Sequence, residues 1–484
     1  MTEVKKKSRK SLGTFSILLI VLAVVSLVTI FMNGKSYVNE AGEAVEVVGA
    51  TLSQIIMAPV AGYHDASDVI GFVFCLGAFL ALVNATGALE KGIHVLVKKL
   101  HGKETALIPV LMTLFSIGGT TYGMGEETVG FYILLAATMT AAGMDPLVGA
   151  AVVLLGAGTG VLGSTINPFA TGAAVDAATS AGVEVNMGTV YLIGIVIWLV
   201  ALIISIVYVM SYAKKVMNKN GSIFTSEQLD TCKAAYGKAT EIEENPTLTG
   251  KQKLVLVIFA ITFVVMILGF IPWGSLSESA YEFFGFSSFL TGASFGDWWF
   301  DDAATWFLLV GILIGFIGME DRSNMASVVT AGFADMISVN LVIALARATS
   351  VIMAETGFGD YLVQASVNGL TQAGVSAGMF GFLDYLLHIG LSFLVPSSSG
   401  LAGLSAPIVS PIVAGMGWSV ETSIMINVTA NGFVNLFTPT CGFIMGGLAL
   451  ARIPYEVYLK WVSKLLVILG VVCGVILTVC MMFF

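Results

Sequence analysis

The chain has 484 residues, of which 57% are apolar and only 11% charged, with 54 glycines, a mean hydropathy of +0.92 and a formal charge of −9. An ordinary soluble domain carries about 25% charged residues, so this supply cannot cover a water-exposed surface, and the composition calls for a polytopic membrane protein. The acidic balance excludes a general nucleic-acid binder. Five cysteines (Cys75, Cys232, Cys441, Cys473, Cys480) without metal-ligand spacing argue against a zinc site or a disulfide scaffold.

The first ten residues are basic (Lys5, Lys6, Lys7, Arg9, Lys10) and lead into an apolar run from Leu12 to Met32. That run is too long for a signal-peptide core and no small-residue cleavage site follows, so it reads as a retained first helix. Further spans are predicted at 69–85, 189–212, 253–272, 302–318, 339–355 and 456–483. Two longer apolar stretches, 146–180 and 419–450, exceed one crossing and are interrupted at polar, proline-containing points. Of 22 Lys and Arg, five lie in the N-terminal tail and seven in 213–253, whereas 273–301 has none and carries Trp273, Trp298, Trp299, Asp297 and Asp301. This positive-inside bias and the aromatic segment opposite it place the N-terminus in the cytoplasm.

The two halves resemble each other. Thr86-Gly87 lines up with Thr356-Gly357, Ala142-Gly143-Met144 with Ala414-Gly415-Met416, Gly160 with Gly432, and Asn167-Pro168 with Thr438-Pro439, at offsets of 270 to 272. An odd number of crossings separates the halves, so the second is expected to be inverted. The expected fold is therefore all-α and polytopic, with two inverted repeats, each containing a re-entrant hairpin and a broken transmembrane helix. Repeat one covers 11–212, with a hairpin at about 105–142 and a broken helix at 146–180. A cytosolic linker without a fold of its own covers 213–252, and a connecting helix and outer loop cover 253–301. Repeat two covers 302–484, with a hairpin at about 376–415 and a broken helix at 419–450. Inverted repeats with discontinuous helices are typical of secondary transporters.

Four non-helical points are expected to carry the chemistry. They are the tip Ser116 to Glu127 (SIGGTTYGMGEE), the break Gly163 to Pro168 (GSTINP), the tip Val395 to Gly400 (VPSSSG) and the break Phe437 to Gly442 (FTPTCG). Unwound backbone at membrane depth must line a polar cavity or lie buried in protein. Gly permits the turn, Pro removes a donor, and Ser, Thr and Asn replace lost partners. Half-helix N-termini then face anions, while freed carbonyls suit cations. Glu126 and Glu127 are intramembrane carboxylates able to bind a substrate cation, ligate Na⁺ or carry a proton; a solvated vestibule is the plainer alternative. Asn427, Asn431 and Asn435 form a polar stripe that either lines the substrate path or bonds a neighbouring helix. Asp384 and His388, at i and i+4, are either a proton relay or a structural pair. Arg347 either holds a substrate carboxylate or pairs with Glu355 or another helix. Asp145-Pro146 reads as a turn and helix start, and Asp176 is a weaker candidate.

The motifs GGTTYGMGEE, GSTINPFATG, VPSSSGLAG and FTPTCG resemble the YfcC family, grouped with DcuC-type dicarboxylate carriers and ArcD-like basic amino acid antiporters of the ion transporter superfamily. The resemblance covers the chain from about residue 12. It implies an elevator-type carrier of the bacterial inner membrane, with a transport domain sliding against a scaffold domain in a homodimer. It further implies substrate and cation sites at Thr120, Thr121, Glu126, Ser164, Thr165 and Asn167, and at Ser397, Ser398, Ser399, Thr438 and Thr440; the residues themselves add Gly123, Glu127, Asn431 and Asn435 to the candidate substrate-binding set. A strict Ser-Asn-Thr signature is missing at both hairpin tips, which counts against sodium coupling and dicarboxylates; the Glu pair favours a basic or other amino acid. A C4-dicarboxylate or other carboxylate carrier coupled to Na⁺ or H⁺ is the alternative. No cofactor or bound metal is expected beyond a coupling Na⁺ or H⁺. A channel fits poorly, since filters generally use symmetric subunits. An enzyme is not expected, because HExxH, GxSxG and nucleotide-binding glycine loops are missing.

Overall fold

The computed structural model describes residues 14–38, 43–99, 104–218, 221–236 and 247–484. The basic N-terminal tail, Lys103 and Pro246 lie outside the described residues. Nine helical segments among the described residues are long and apolar enough to cross a membrane, and residues 15–31 form a shorter apolar helix before them.

The first run forms α1 (Thr14–Phe31), followed by a hairpin of β1 (Ser36–Val38) and β2 (Ala44–Glu46) with Tyr37 opposite Val45. Two helices joined at Ala66 follow, α2 (Leu52–Asp65) and α3 (Ser67–Ala85), of which α3 is long and apolar enough to cross a membrane. Thr51 and Gln54 form a capping box that starts α2. The expected span at 69–85 falls within α3. After α4 (Ala88–Lys99) come the two hairpin arms α5 (Leu107–Tyr122) and α6 (Val129–Ala141), then α7 (Pro146–Gly163), a π-turn over Pro168–Gly172 and α8 (Ala173–Ser180). Asp145 caps α7 and Pro146 occupies its first turn, as the Asp-Pro pair implies. The long α9 (Met187–Met217) closes this half.

A short α10 (Ser226–Tyr236) precedes α11 (Gly250–Phe270), two small helices α12 (Trp273–Leu276) and α13 (Glu278–Phe284), and α14 (Phe300–Gly318). The second half continues with α15 (Met325–Glu355), α16 (Phe358–Gln372), α17 (Ala377–Leu394), α18 (Ser398–Gly415), α19 (Val420–Val434), α20 (Gly442–Leu450) and α21 (Tyr455–Phe483). The span expected at 339–355 begins earlier, because 325–338 contains neither Gly-Pro punctuation nor more than one charge. The arms α17 and α18 have 18 residues each and are long enough to cross on length alone.

Packing is reciprocal between the halves. Helix α1 lies on α15 as α14 lies on α3, α8 on α18 as α20 on α6, and α9 closes on α5 and α7 as α21 closes on α17 and α19. The α2–α3 element runs antiparallel to α15. Gln54 donates to Glu355 (3.1 Å), Arg347 pairs with Asp65 (3.2 Å) and Asn340 donates to the Ile70 carbonyl (3.3 Å). A Cβ on Gly62 would lie 2.3 Å from the Ala344 carbonyl oxygen, so the two backbones touch.

The linker differs from expectation. Its helix α10 docks on the bundle: Tyr236 donates to the Ala451 carbonyl (2.6 Å) and the Cys232 thiol to that of Arg452 (3.2 Å). Just before α10, Ser222 donates to Asp145 (2.7 Å), which also accepts from Tyr212 (2.5 Å). Burial raises the Asp145 carboxyl above the ordinary carboxylate value, and these two hydroxyls act against it. The segment therefore joins the start of α7 to the end of α20. The tryptophans of 273–301 are also pinned rather than a loose belt. Trp273 and Trp298 donate to the main chain at Leu268 and Ala293, and Trp299 donates to Asp68 (2.7 Å).

Candidate functional site

At the first hairpin, α5 remains helical through Ser116 to Tyr122, so the tip is shorter than the expected Ser116–Glu127 and begins at Gly123. Gly118 and Gly119 serve close packing instead: a Cβ on Gly119 would sit 2.1 Å from the Ala157 carbonyl oxygen on α7. The helix ends because Gly123 turns left-handed (φ +79°), and a Cβ there would lie 2.6 Å from Asn167 Nδ2. The chain then turns through Gly125, whose N–H donates to Glu127 Oε2 (2.9 Å). Glu127 is 4% exposed.

The tip is fastened to the break after α7. Ser164 is left-handed (φ 34°), Asn167 Nδ2 donates to Ser164 Oγ (3.0 Å), and Asn167 Oδ1 accepts from the Phe169 N–H (2.9 Å). Thr171 donates to the Ser164 carbonyl. Thr120 Oγ1 accepts from the Thr165 N–H (3.1 Å) and donates to Thr165 Oγ1 (3.1 Å). Side chains thus take the Thr165 and Phe169 N–H groups and the Ser164 carbonyl, and the Thr120 carbonyl takes the Ile166 N–H (3.3 Å), so these groups of the break are satisfied within the protein, as membrane depth demands. Thr121 instead bonds back to the Ile117 carbonyl within α5 (2.7 Å).

The second tip and break mirror this with other residues. Ser397 caps α18 by accepting from the Gly400 N–H (3.2 Å). The Pro396 carbonyl accepts from Asn431 (3.3 Å) and Asn435 (3.0 Å), and Ser398 donates to Asn431 (2.9 Å). In the break, Thr438 and Thr440 bond each other (2.7 Å), while Tyr458 holds the Leu436 carbonyl (2.6 Å).

Between these four points lies a cavity of about 150 Å³. Cavities of that size admit a molecule such as benzene, so this one suits a small solute. Of the candidate residues, Gly123, Glu126, Glu127, Asn167, Ser397, Ser398, Ser399, Asn435 and Thr440 line it. Thr120, Ser164, Thr165, Asn431 and Thr438 sit behind that wall as its hydrogen-bonded support, and Thr121, Asp384 and His388 are not among its lining. The asparagine stripe therefore divides: Asn435 faces the cavity, whereas Asn427 and Asn431 bind the second hairpin.

Arg347 lines the same cavity from α15. Its partner is Asp65, on another helix, rather than Glu355, and it lies beside Gly400, where a Cβ would stand in ordinary contact 3.5 Å from Nη1. Tyr122, Phe169 and Phe300 build one wall, backed by Phe270 and Trp299: Tyr122 stacks on Phe270 (5.5 Å), and Phe169 meets Trp299 (4.7 Å) and Phe300 (5.5 Å). Cys441 and Phe443 join them at the start of α20. No signal short of the fold brings these distant aromatics together. The lining thus combines one guanidinium, two carboxylates, and the N-termini of α18 and α20. Among the described residues, no three His, Cys, Asp or Glu side chains gather to hold a metal ion.

Comparison with known proteins fits this architecture. The family model for the C4-dicarboxylate anaerobic carrier, DcuC, matches residues 9–483. The chain belongs to the DcuC family. It is similar to a putative basic amino acid antiporter, YfcC, of Escherichia coli K12, with 27% identity over 86% of this chain and 77% of that protein. It is also similar to an uncharacterized protein of Haemophilus influenzae, with 29% identity over 88% of this chain and 78% of that one. The solved structure of the Alcanivorax borkumensis YdaH transporter superimposes with a TM-score of 0.50, covering 97% of this chain and 98% of that one at 14% identity. That likeness concerns the fold alone. As a DcuC-family member with nine helices among the described residues long and apolar enough to cross a bilayer, this chain is a multi-pass membrane transporter.

Proposed function

We propose that the chain is a secondary carrier of a small zwitterionic or cationic solute, a basic or other amino acid, across the bacterial inner membrane, with its N-terminus in the cytoplasm. The observation carrying this reading is that Arg347 and the Glu126–Glu127 pair line one small cavity. A guanidinium suits the solute's carboxylate through paired N–H donors, and a carboxylate suits its ammonium. The similarity to the Escherichia coli putative basic amino acid antiporter YfcC supports this class.

A second reading, a C4-dicarboxylate carrier, draws on the family description and on the N-termini of α18 and α20 at the cavity, which favour anions. Charge supports the first. A unit charge about 4 Å from an ionised carboxylate is worth about 4 kcal/mol at an effective dielectric of about 20, repelling a dianion and attracting an ammonium. Arg347 is already partly satisfied by Asp65, so it does not offset both glutamates.

For movement, we infer an elevator in which the hairpins and broken helices travel against a frame of α2, α3, α14 and α15. Support comes from the reciprocal packing of the halves and from Ile70 meeting Asn340, 270 residues apart, as expected near an axis relating inverted repeats. The frame meets the travelling part along glycines: Gly442 and Gly446 of α20 face Ile343 and Val339 of α15. The cavity itself joins both groups, with Arg347 from the frame and the tips from the moving part.

Ligand-induced thermal stabilisation of the purified protein tests the solute class. Ornithine, arginine and alanine are compared with succinate and with cadaverine, which lacks a carboxylate. Stabilisation by the amino acids but not by succinate is expected; stabilisation by succinate alone overturns the reading.

A further inference from the structure

Helix α17 carries a titratable pair that the cavity does not use. Asp384 is 0% and His388 1% exposed in their side chains, and His388 Nδ1 lies 3.0 Å from Asp384 Oδ1 and 3.0 Å from the Asp384 main-chain oxygen. Neither carboxylate oxygen of Asp384 receives a well-formed hydrogen bond, so its sole close polar neighbour among the described residues is that imidazole. The other ring nitrogen, Nε2, lies 3.2 Å from Ser405 Oγ on α18, and Ser405 Oγ accepts from Asn427 on α19. Asn427 also donates to the Leu401 carbonyl (3.4 Å). One turn further along α19, Asn431 accepts from both Ser398 (2.9 Å) and Asn435 (2.9 Å), which line the cavity. A polar seam thus runs from the buried pair to the second hairpin tip.

The surroundings leave the pair to itself. The helices packed on α17 are α16, α19 and α21. Their charged groups are Asp360 in the first turn of α16, Glu421 in the first turn of α19, and Glu456, Lys460 and Lys464 on α21. At the level of the pair, α21 presents Gly474 to Tyr385 and carries Cys473 beside it. A buried carboxylate with no other partner is sustained by one shared proton, either as imidazolium and carboxylate or as imidazole and carboxylic acid; removing that proton leaves a bare charge in a dry interior.

We propose that the Asp384–His388 pair binds a coupling proton and that its occupancy is read by the second hairpin through Ser405, Asn427, Asn431 and Ser398. The step is a reversible protonation without redox change. With Nδ1–H turned to Asp384, a neutral ring accepts the Ser405 hydroxyl hydrogen at Nε2. When Nε2 gains a proton it donates to Ser405 Oγ, and the Ser405 hydrogen must find another acceptor. Protonation therefore reverses the hydrogen bond that joins His388 of α17 to Ser405 of α18, the arms that set the Ser397–Ser399 tip.

This inference rests on the carrier reading, so its test has one arm that needs no solute. Infrared titration of the purified protein is expected to show carboxyl and imidazole bands that respond to pH in wild type and in Glu126→Gln but not in the isosteric Asp384→Asn/His388→Gln variant. Identical pH responses in that variant and wild type overturn the proposal. In proteoliposomes, the same variant is expected to keep solute exchange between equal pH on both sides and to lose accumulation driven by a pH gradient. Accumulation undiminished in the variant likewise overturns it. A wild type that exchanges none of the solutes would sink the carrier reading, while the infrared arm still decides the pair.

Discussion

Gly160→Ala tests whether the first hairpin and the first broken helix act as one unit. A Cβ at Gly160 would stand 2.1 Å from the Ser116 carbonyl oxygen and 2.7 Å from the Thr120 backbone nitrogen, both fixed main-chain atoms of α5. Ordinary contact begins at about 3.4 Å, so α5 must retreat from α7 by about 1.3 Å. The Thr120–Thr165 bonds, now 3.1 Å, would stretch to about 4.4 Å, beyond hydrogen-bonding reach. Overpacking of this kind costs about 1–3 kcal/mol, and each buried group left without a partner adds about 1–3 kcal/mol. Gly390→Ala on α17 is the matched control, because nothing lies within 4 Å of its Cβ; helix propensity alone then favours alanine by about 0.5–1 kcal/mol. Thermal unfolding in detergent, followed with transport in liposomes, reads both variants. A Gly160→Ala protein as stable and active as Gly390→Ala would refute the account of the hairpin and break as one fastened unit.

Two further outcomes follow from the same geometry. Asp145 is buried and its carboxyl is raised, so the folded state holds a proton more tightly than the unfolded chain. Stability is therefore expected to fall as pH rises from the ordinary carboxylate range, near 4, through the raised value, and to level off above it. Asp145→Asn should flatten that slope while α10 stays docked, measured by protease protection at 221–236; an unchanged slope contradicts the assignment. Cys441 lines the cavity beside Phe443 and is 6% exposed, so a small thiol reagent is expected to label it slowly and bound solute to protect it. Labelling is read by mass spectrometry, with Cys232, held by the Arg452 carbonyl, as the internal reference. Solute that leaves the Cys441 rate unchanged would place binding elsewhere.

Much of the fold is legible in the sequence where a local rule acts alone. Asp145-Pro146 starts a helix, and the Gly-Ser-Thr-Ile-Asn-Pro run breaks one, because the capping and unwinding residues lie next to the places they shape. The first tip was placed too early because Gly118 and Gly119 look like turn residues. Their function is steric: Gly118 makes room for Met124, and Gly119 for Ala157, 38 residues away. Helix α2 escaped detection since Gln54, Pro59, His64 and Asp65 dilute its apolar pattern, yet Asp65 supplies the partner that fixes Arg347. The docked linker was hidden for a related reason: Asp145, Ala451 and Arg452 lie far from α10 in the chain, so composition alone reads it as free.

The site followed the same pattern. Glycines, serines and threonines at the tips and breaks mark its position, and most of those named from motifs either line the cavity or brace its wall. Its charge balance required the fold, because Arg347 and Glu126 are 221 residues apart and line one cavity only once the chain is folded.

The central claim is that Arg347 and Glu126 together hold a solute bearing both charges. The most direct measurement is uptake of labelled ornithine, arginine and succinate into proteoliposomes containing wild type, Glu126→Gln or Arg347→Gln. Losing one partner of a buried charge pair costs about 2–5 kcal/mol, a loss of about 30-fold or more in apparent affinity. Uptake of ornithine or arginine by wild type, weakened to that degree in each variant, is the predicted result. Uptake of succinate alone, undiminished by Glu126→Gln, would contradict it.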